Sequence, residues 1–191
     1  MFQRLLTAAL CALATTAHAH PGHGADGLLA GALHPLAGLD HLVAMLAIGL
    51  WAAQLGKRLR WAVPACFVLL MLAGACTGLS VPAGITAHGI VEQGIAASLL
   101  VLGLLIAWAA RLPAVACLML AGAFAFFHGL AHGSEAHAGS APFLAGMMLT
   151  TASLHVAGLC TALWLQRRGS AALTRWAGAA ATVLGMALLL N

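Results

Sequence analysis

His34-Pro-Leu-Ala-Gly-Leu-Asp40-His41-Leu-Val-Ala-Met45 sets two imidazoles and a carboxylate in a stretch otherwise apolar enough to cross a membrane. Ionisable side chains at that depth are expensive and are by default functional. On one continuous helix, Asp40 and His41 follow His34 by six and seven residues, which returns them to roughly the same face two turns on. The spacing predicts three nitrogen and oxygen ligands directed at one place. Pro35 lacks an N–H and is expected to bend the helix beside them.

Outward from that stretch the chain is of one kind. Its 191 residues are 63% apolar and 6% charged, against ~25% charged in soluble domains. This is the composition of an integral membrane protein. The net charge of +4 would suggest an anionic partner in a soluble chain. Here there is no basic stripe interleaved with aromatics, so nucleic acid is set aside. Five cysteines, Cys11, Cys66, Cys76, Cys117 and Cys160, form no C-x-x-C pair and read as small hydrophobes.

Residues 1–19 carry Arg4, a short apolar run and the small-x-small site Ala17-His18-Ala19, the layout of a secretory signal peptide. Cleavage there would expose His20-Pro-Gly-His23, a terminus able to capture a divalent cation or merely a hydrophilic tail. Residues 20–191 then read as a single all-α polytopic domain of six transmembrane helices. The spans are expected at about 27–55, 61–79, 84–110, 113–132, 141–165 and 171–190, each near the ~20 residues a bilayer requires. Lys57, Arg58, Arg60, Arg111, Arg167, Arg168 and Arg175 all fall in alternate connections. The positive-inside rule makes that side cytoplasmic, which puts both termini outside, on the periplasmic face of a bacterial inner membrane.

Along the helical rise, His34 is expected roughly 10 Å and Asp40 and His41 roughly 20 Å below the outer end. His88 and Glu92 share a face of the third span at i, i+4, and His128 and His132 share one of the fourth, followed by Glu135 and His137. His155 falls near mid-depth in the fifth. Every ionisable group thus lies between the outer surface and the middle of the membrane. Independent burial of so many, at ~2.5–3.5 kcal/mol or more each, is improbable unless they are partners. Imidazole with carboxylate suits nickel, cobalt, zinc or manganese and steers away from magnesium and calcium. Asp40 and Glu92 would offset the charge of a dication. Blander readings stand beside this one: Met45 as packing, His155 as a hydrogen bond between helices, Glu135 and His137 as a solvated turn.

The segments His34 to Met45 and Phe127-His-Gly-Leu-Ala-His-Gly-Ser-Glu135, with Glu92-Gln-Gly-Ile-Ala-Ala-Ser98 between them, resemble the HupE/UreJ family of secondary nickel and cobalt permeases. The resemblance covers nearly the whole chain. It implies uptake of nickel, with cobalt as the other candidate, for hydrogenase or urease maturation. It carries binding roles onto His34, Asp40 and His41, and onto His128, His132 and Glu135. The expected path runs from His20, His23 and His137 through His128, His132 and Glu135 to His34, Asp40, His41 and Glu92, with His88 and His155 as further candidate ligands.

The metal is then cargo, and no resident prosthetic group is expected. There is no G-x-x-x-x-G-K-[ST] loop and no H-E-x-x-H, so neither an ATPase nor a zinc hydrolase is expected. Two alternatives remain: a membrane haem carrier with paired axial histidines, and a metal-binding accessory protein that does not transport. Nothing in the spacing specifies a homo-oligomer or a metallochaperone contact; the bilayer and the divalent ion are the partners the chain itself implies.

Overall fold

The computed structural model describes residues 27–80, 89–135 and 141–190. The proposed leader, His20, His23, His88 and His137 lie outside the described residues. Within them the chain is helical throughout, as a lipid-embedded backbone requires, because each helix satisfies its own N–H and C=O groups. In chain order the helices are α1 (Leu28–Ala37), α2 (Leu39–Gln54), α3 (Leu59–Gly78), α4 (Ile90–Trp108), α5 (Ala114–Glu135), α6 (Ala141–Arg167) and α7 (Ala171–Leu189). The five from α3 to α7 are each long and apolar enough to cross a membrane, and the count is six if α1 and α2 make one broken span.

That broken span corrects the expectation of a single first helix. The axis turns by 88° between α1 and α2. The break is at Gly38, whose backbone is extended (φ −96°, ψ 122°), and not at Pro35, which lies inside α1. Glycine has the highest entropy cost in a helix after proline's steric one, and here it ends one helix and starts the next: the Leu42 N–H donates to the Gly38 carbonyl (2.9 Å). The ten residues of α1 span only ~15 Å. The depth ladder drawn along one axis therefore does not apply, and neither does the same-face argument for His34 with Asp40 and His41.

Small residues hold the bundle together. Helices α3 and α5 run parallel, a Cβ on Gly129 meeting the backbone of Met71, Gly74 and Ala75, and one on Gly78 meeting that of Leu130 and Gly133. Two G-x-x-x-G pairs, Gly74 with Gly78 and Gly129 with Gly133, thus belong to one internal seam. Helices α2 and α6 are also parallel, joined at Gly49 and Gly158, while α4 and α7 are antiparallel through Gly103, Gly178 and Gly185. The core between these pairs contains Met45, Trp51, Phe67, Met71, Leu99 and Met147, all fully buried; Met45 packs, as its bland reading has it.

These directions put the end of α2, the start of α3, the end of α4, the start of α5, the end of α6 and the start of α7 at one end of the bundle. All seven bases from Lys57 to Arg175 are there. So are four exposed tryptophans, Trp61, Trp108, Trp164 and Trp176, a ring of the amphipathic side chains that favour a membrane–water boundary. Asp40, His41, Glu92, His128 and His132 lie toward the other end.

Candidate metal centre

Asp40 sits in the first turn of α2, where unpaired N–H groups and the positive end of the helix favour a carboxylate. Next to it, His41 Nδ1 lies 3.1 Å from Asp40 Oδ1. An ionised carboxylate only accepts, so Nδ1 carries the proton and donates it. The lone pair is then on His41 Nε2, which is buried and without a hydrogen-bond partner. His128 repeats this on α5: its Nδ1 donates to the Phe124 carbonyl one turn earlier (2.8 Å), and its Nε2 is buried and unpartnered. A hydrogen bond on one ring nitrogen that fixes the lone pair on the other is the usual support of a metal-binding histidine.

The two rings are neighbours, with centroids 5.1 Å apart. His132, one turn beyond His128, lies 4.5 Å from the His41 ring. From α1, His34 Nε2 hydrogen-bonds His132 Nδ1 at 3.0 Å, and the His34 ring rests on Phe143. Four imidazoles and a carboxylate from α1, α2 and α5 therefore meet, and the sharp turn at Gly38 is what lets His34 and His41 reach the same His132. His128 and His132 are 0% and 1% exposed, His41 and Asp40 15% and 33%. The carboxylate is the mouth of the cluster and the imidazoles its floor.

Among the described residues no group of three or more His, Cys, Asp or Glu side chains is arranged so that it could hold a metal ion as it stands. Two buried Nε2 atoms, on His41 and His128, are without a hydrogen-bond partner, while His34 and His132 are engaged with each other. A cation entering between them would take up that second pair by exchanging one hydrogen bond for coordination.

The remaining candidates fall elsewhere. His155 on α6 is 1% exposed and neither of its ring nitrogens has a hydrogen-bond partner. It is separated from His128 by Phe67, whose ring lies 5.7 Å from His128 and 5.0 Å from His155. Glu92 is exposed in the first turn of α4 and is not brought to the imidazoles; α4 meets α5 at Gly94, over which the Phe127 ring lies. Glu135 ends α5, three residues beyond His132. Phe67 and Phe143 were not singled out by sequence, since a phenylalanine in an apolar span reads as core.

The model of the HupE / UreJ protein family matches residues 8–188. The chain is 40% identical over 187 residues to Protein HupE of Rhizobium leguminosarum bv. viciae, covering 97% of this chain and 96% of that one. The chain belongs to the HupE/UreJ family. No solved structure matches it. The two segments that carried the resemblance are those that this HupE/UreJ chain folds into the imidazole cluster, on α1–α2 and on α5.

Gly38 offers a test of the cluster's support. A Cβ there would lie 2.8 Å from Asp40 Oδ1 and 3.3 Å from His41 Nδ1, and its φ is one that alanine adopts freely. Gly38→Ala is expected to fold normally but to displace the Asp40–His41 pair. Loss of such an outer hydrogen bond costs metal affinity ~10- to 100-fold. Nickel titration calorimetry beside thermal unfolding in detergent would register the first change without the second.

Proposed function

We propose that this chain is a permease that carries nickel, with cobalt as the neighbouring substrate, inward across the bacterial cytoplasmic membrane for hydrogenase or urease maturation. The observation that supports this best is the pair of buried Nε2 lone pairs on His41 and His128, each fixed by a hydrogen bond at Nδ1. Neutral imidazole is the donor a borderline divalent ion prefers. One carboxylate at the mouth lowers the cost of bringing that charge out of water. The basic, tryptophan-ringed end faces the cytoplasm in this reading, and the mouth at Asp40 faces the periplasm.

The ion first meets Asp40, passes to His41 and His128, and recruits His132 and His34. Inward release requires it to leave this cluster past Phe67, which separates His128 from His155. The break at Gly38 is where α1 can move relative to α2, in the place first expected of Pro35. The chain has no nucleotide-binding loop, and transport is read as energy-independent or coupled to an ion gradient.

Purified protein in liposomes holding a nickel-sensitive dye provides the test. External nickel is expected to quench the dye in proteoliposomes and not in empty ones. Binding to the detergent-purified chain with no entry of nickel into proteoliposomes would overturn the permease reading in favour of an accessory metal-binding protein.

A further inference from the structure

A cavity of ≈ 620 Å³ opens at the basic end of the bundle, far from the imidazoles. Lys57, Arg58 and Ala62 line one side and Ala114, Val115 and Leu118 the other. Its walls are apolar, and the exposed Lys57 and Arg58 are among the residues that form them. Val115 is exposed, and Trp61 next to Ala62 belongs to the tryptophan ring, so the opening lies at the level of the membrane–water boundary.

Three features make this end of the bundle unusually positive. First, none of the chain's four acidic residues falls in the connections that carry the bases, and among the described residues no lysine or arginine is paired with a carboxylate. Second, Arg168 lies over the Trp164 ring and Arg175 Nε donates to the Ala107 carbonyl, whereas Arg60 Nε, in the first turn of α3, is buried with no hydrogen-bond partner. Third, the parallel helices α3 and α5 both begin at the cavity, and the Arg58 side chain does not cap α3. Two positive helix ends therefore add to the two side-chain cations Lys57 and Arg58.

We infer that this cavity binds one anionic glycerophospholipid, its phosphate held between Lys57 and Arg58 and an acyl chain laid along Ala62, Val115 and Leu118. A soluble anion would satisfy the rim but leave the apolar walls facing water; a neutral lipid would fill the walls but leave the cations unpaired. Basic pockets between helices at the headgroup level are where anionic headgroups bind. The lipid would fasten the starts of α3 and α5 together at the end of the bundle opposite the metal cluster. The inference does not rest on the transport reading.

Native mass spectrometry of the full chain in detergent, titrated with phosphatidylglycerol or phosphatidylcholine, tests it. One phosphatidylglycerol per chain is expected to be retained in preference to phosphatidylcholine. Each basic residue near a headgroup is worth roughly a fivefold change in affinity, so K57Q/R58Q is expected to bind about 25-fold more weakly. Ala114→Trp fills the cavity with the charges intact and is expected to lose the bound lipid, while Arg168→Gln retains it. Equal retention of phosphatidylcholine, unchanged binding by K57Q/R58Q, or an equal loss with Arg168→Gln would each overturn the site; the last would mean that charge at this end acts only diffusely.

Discussion

His41→Ala is expected to abolish nickel uptake and to weaken binding by roughly 100-fold or more, the upper end of what even an outer-shell change costs. His41 offers one of the two inward lone pairs, is in ring contact with both His128 and His132, and is the residue through which Asp40 acts. It is also the cluster's cleanest probe. At 15% exposure it is less enclosed than the fully buried His128, so its truncation should disturb stability less than that of His128. His128→Ala would remove the other lone pair but hollow a fully buried site, confounding the two. Asp40→Asn separates the roles within the pair: it keeps an acceptor for His41 Nδ1 but removes the charge, and is expected to cost less than the loss of the ring. Isotope uptake in cells and calorimetry on the purified variants read the two effects. Cells carrying His41→Ala that accumulate labelled nickel like the wild type would sink the assignment.

What could be read from sequence follows from where periodicity holds. Helix α5 is continuous from Ala114 to Glu135, so the i, i+4 relation of His128 and His132 predicts their shared neighbourhood correctly. The first motif is different. His34, Asp40 and His41 were expected to converge by the 3.6-residue repeat of one helix, and His34 and His41 do meet around His132, but through the 88° turn at Gly38. Pro35 is the stronger breaker in isolation and drew the expectation; inside a ten-residue helix its missing N–H is tolerated, and the chain turns where glycine permits extended backbone. The placement of Glu92 could not be read at all. Helix α4 is apolar on every side, so its sequence carries no stripe to say which face meets α2, α5 or α7. Nor does any pattern mark Phe67 as the ring between His128 and His155, because that contact joins three separate helices. The directed lone pairs needed structure too, although the Phe124 carbonyl one turn before His128 is a partner that local side-chain-to-backbone bonding makes available.

Gly129→Val is expected to be among the most destabilising single changes in the bundle. A Cβ at this position meets backbone atoms only, the carbonyl of Met71, the nitrogen of Ala75 and the Cα of Gly74, so no side chain can rotate aside and α3 must move away from α5. Overpacking against yielding side chains costs ~1–3 kcal/mol; against backbone the cost should reach or pass the top of that range. The neighbouring glycines grade the effect. At Gly94 the obstacle is the ring of Phe127, 2.7 Å from the added carbon, which can swing, so Gly94→Ala should cost less. At Gly27 nothing lies within 4 Å, and Gly27→Ala should stay within ~0.5 kcal/mol of the wild type, as unobstructed surface changes do. The order of thermal unfolding temperatures in detergent is the readout, with Gly129→Val lowest. Because Gly129 lies between His128 and His132, separating α3 from α5 also turns both imidazoles away from His41. Nickel affinity should therefore fall together with stability in Gly129→Val, but remain at the wild-type level in Gly27→Ala. If Gly129→Val unfolded at the wild-type temperature, α3 and α5 could not be in backbone contact there, and the α5 histidines would have lost the seam that positions them.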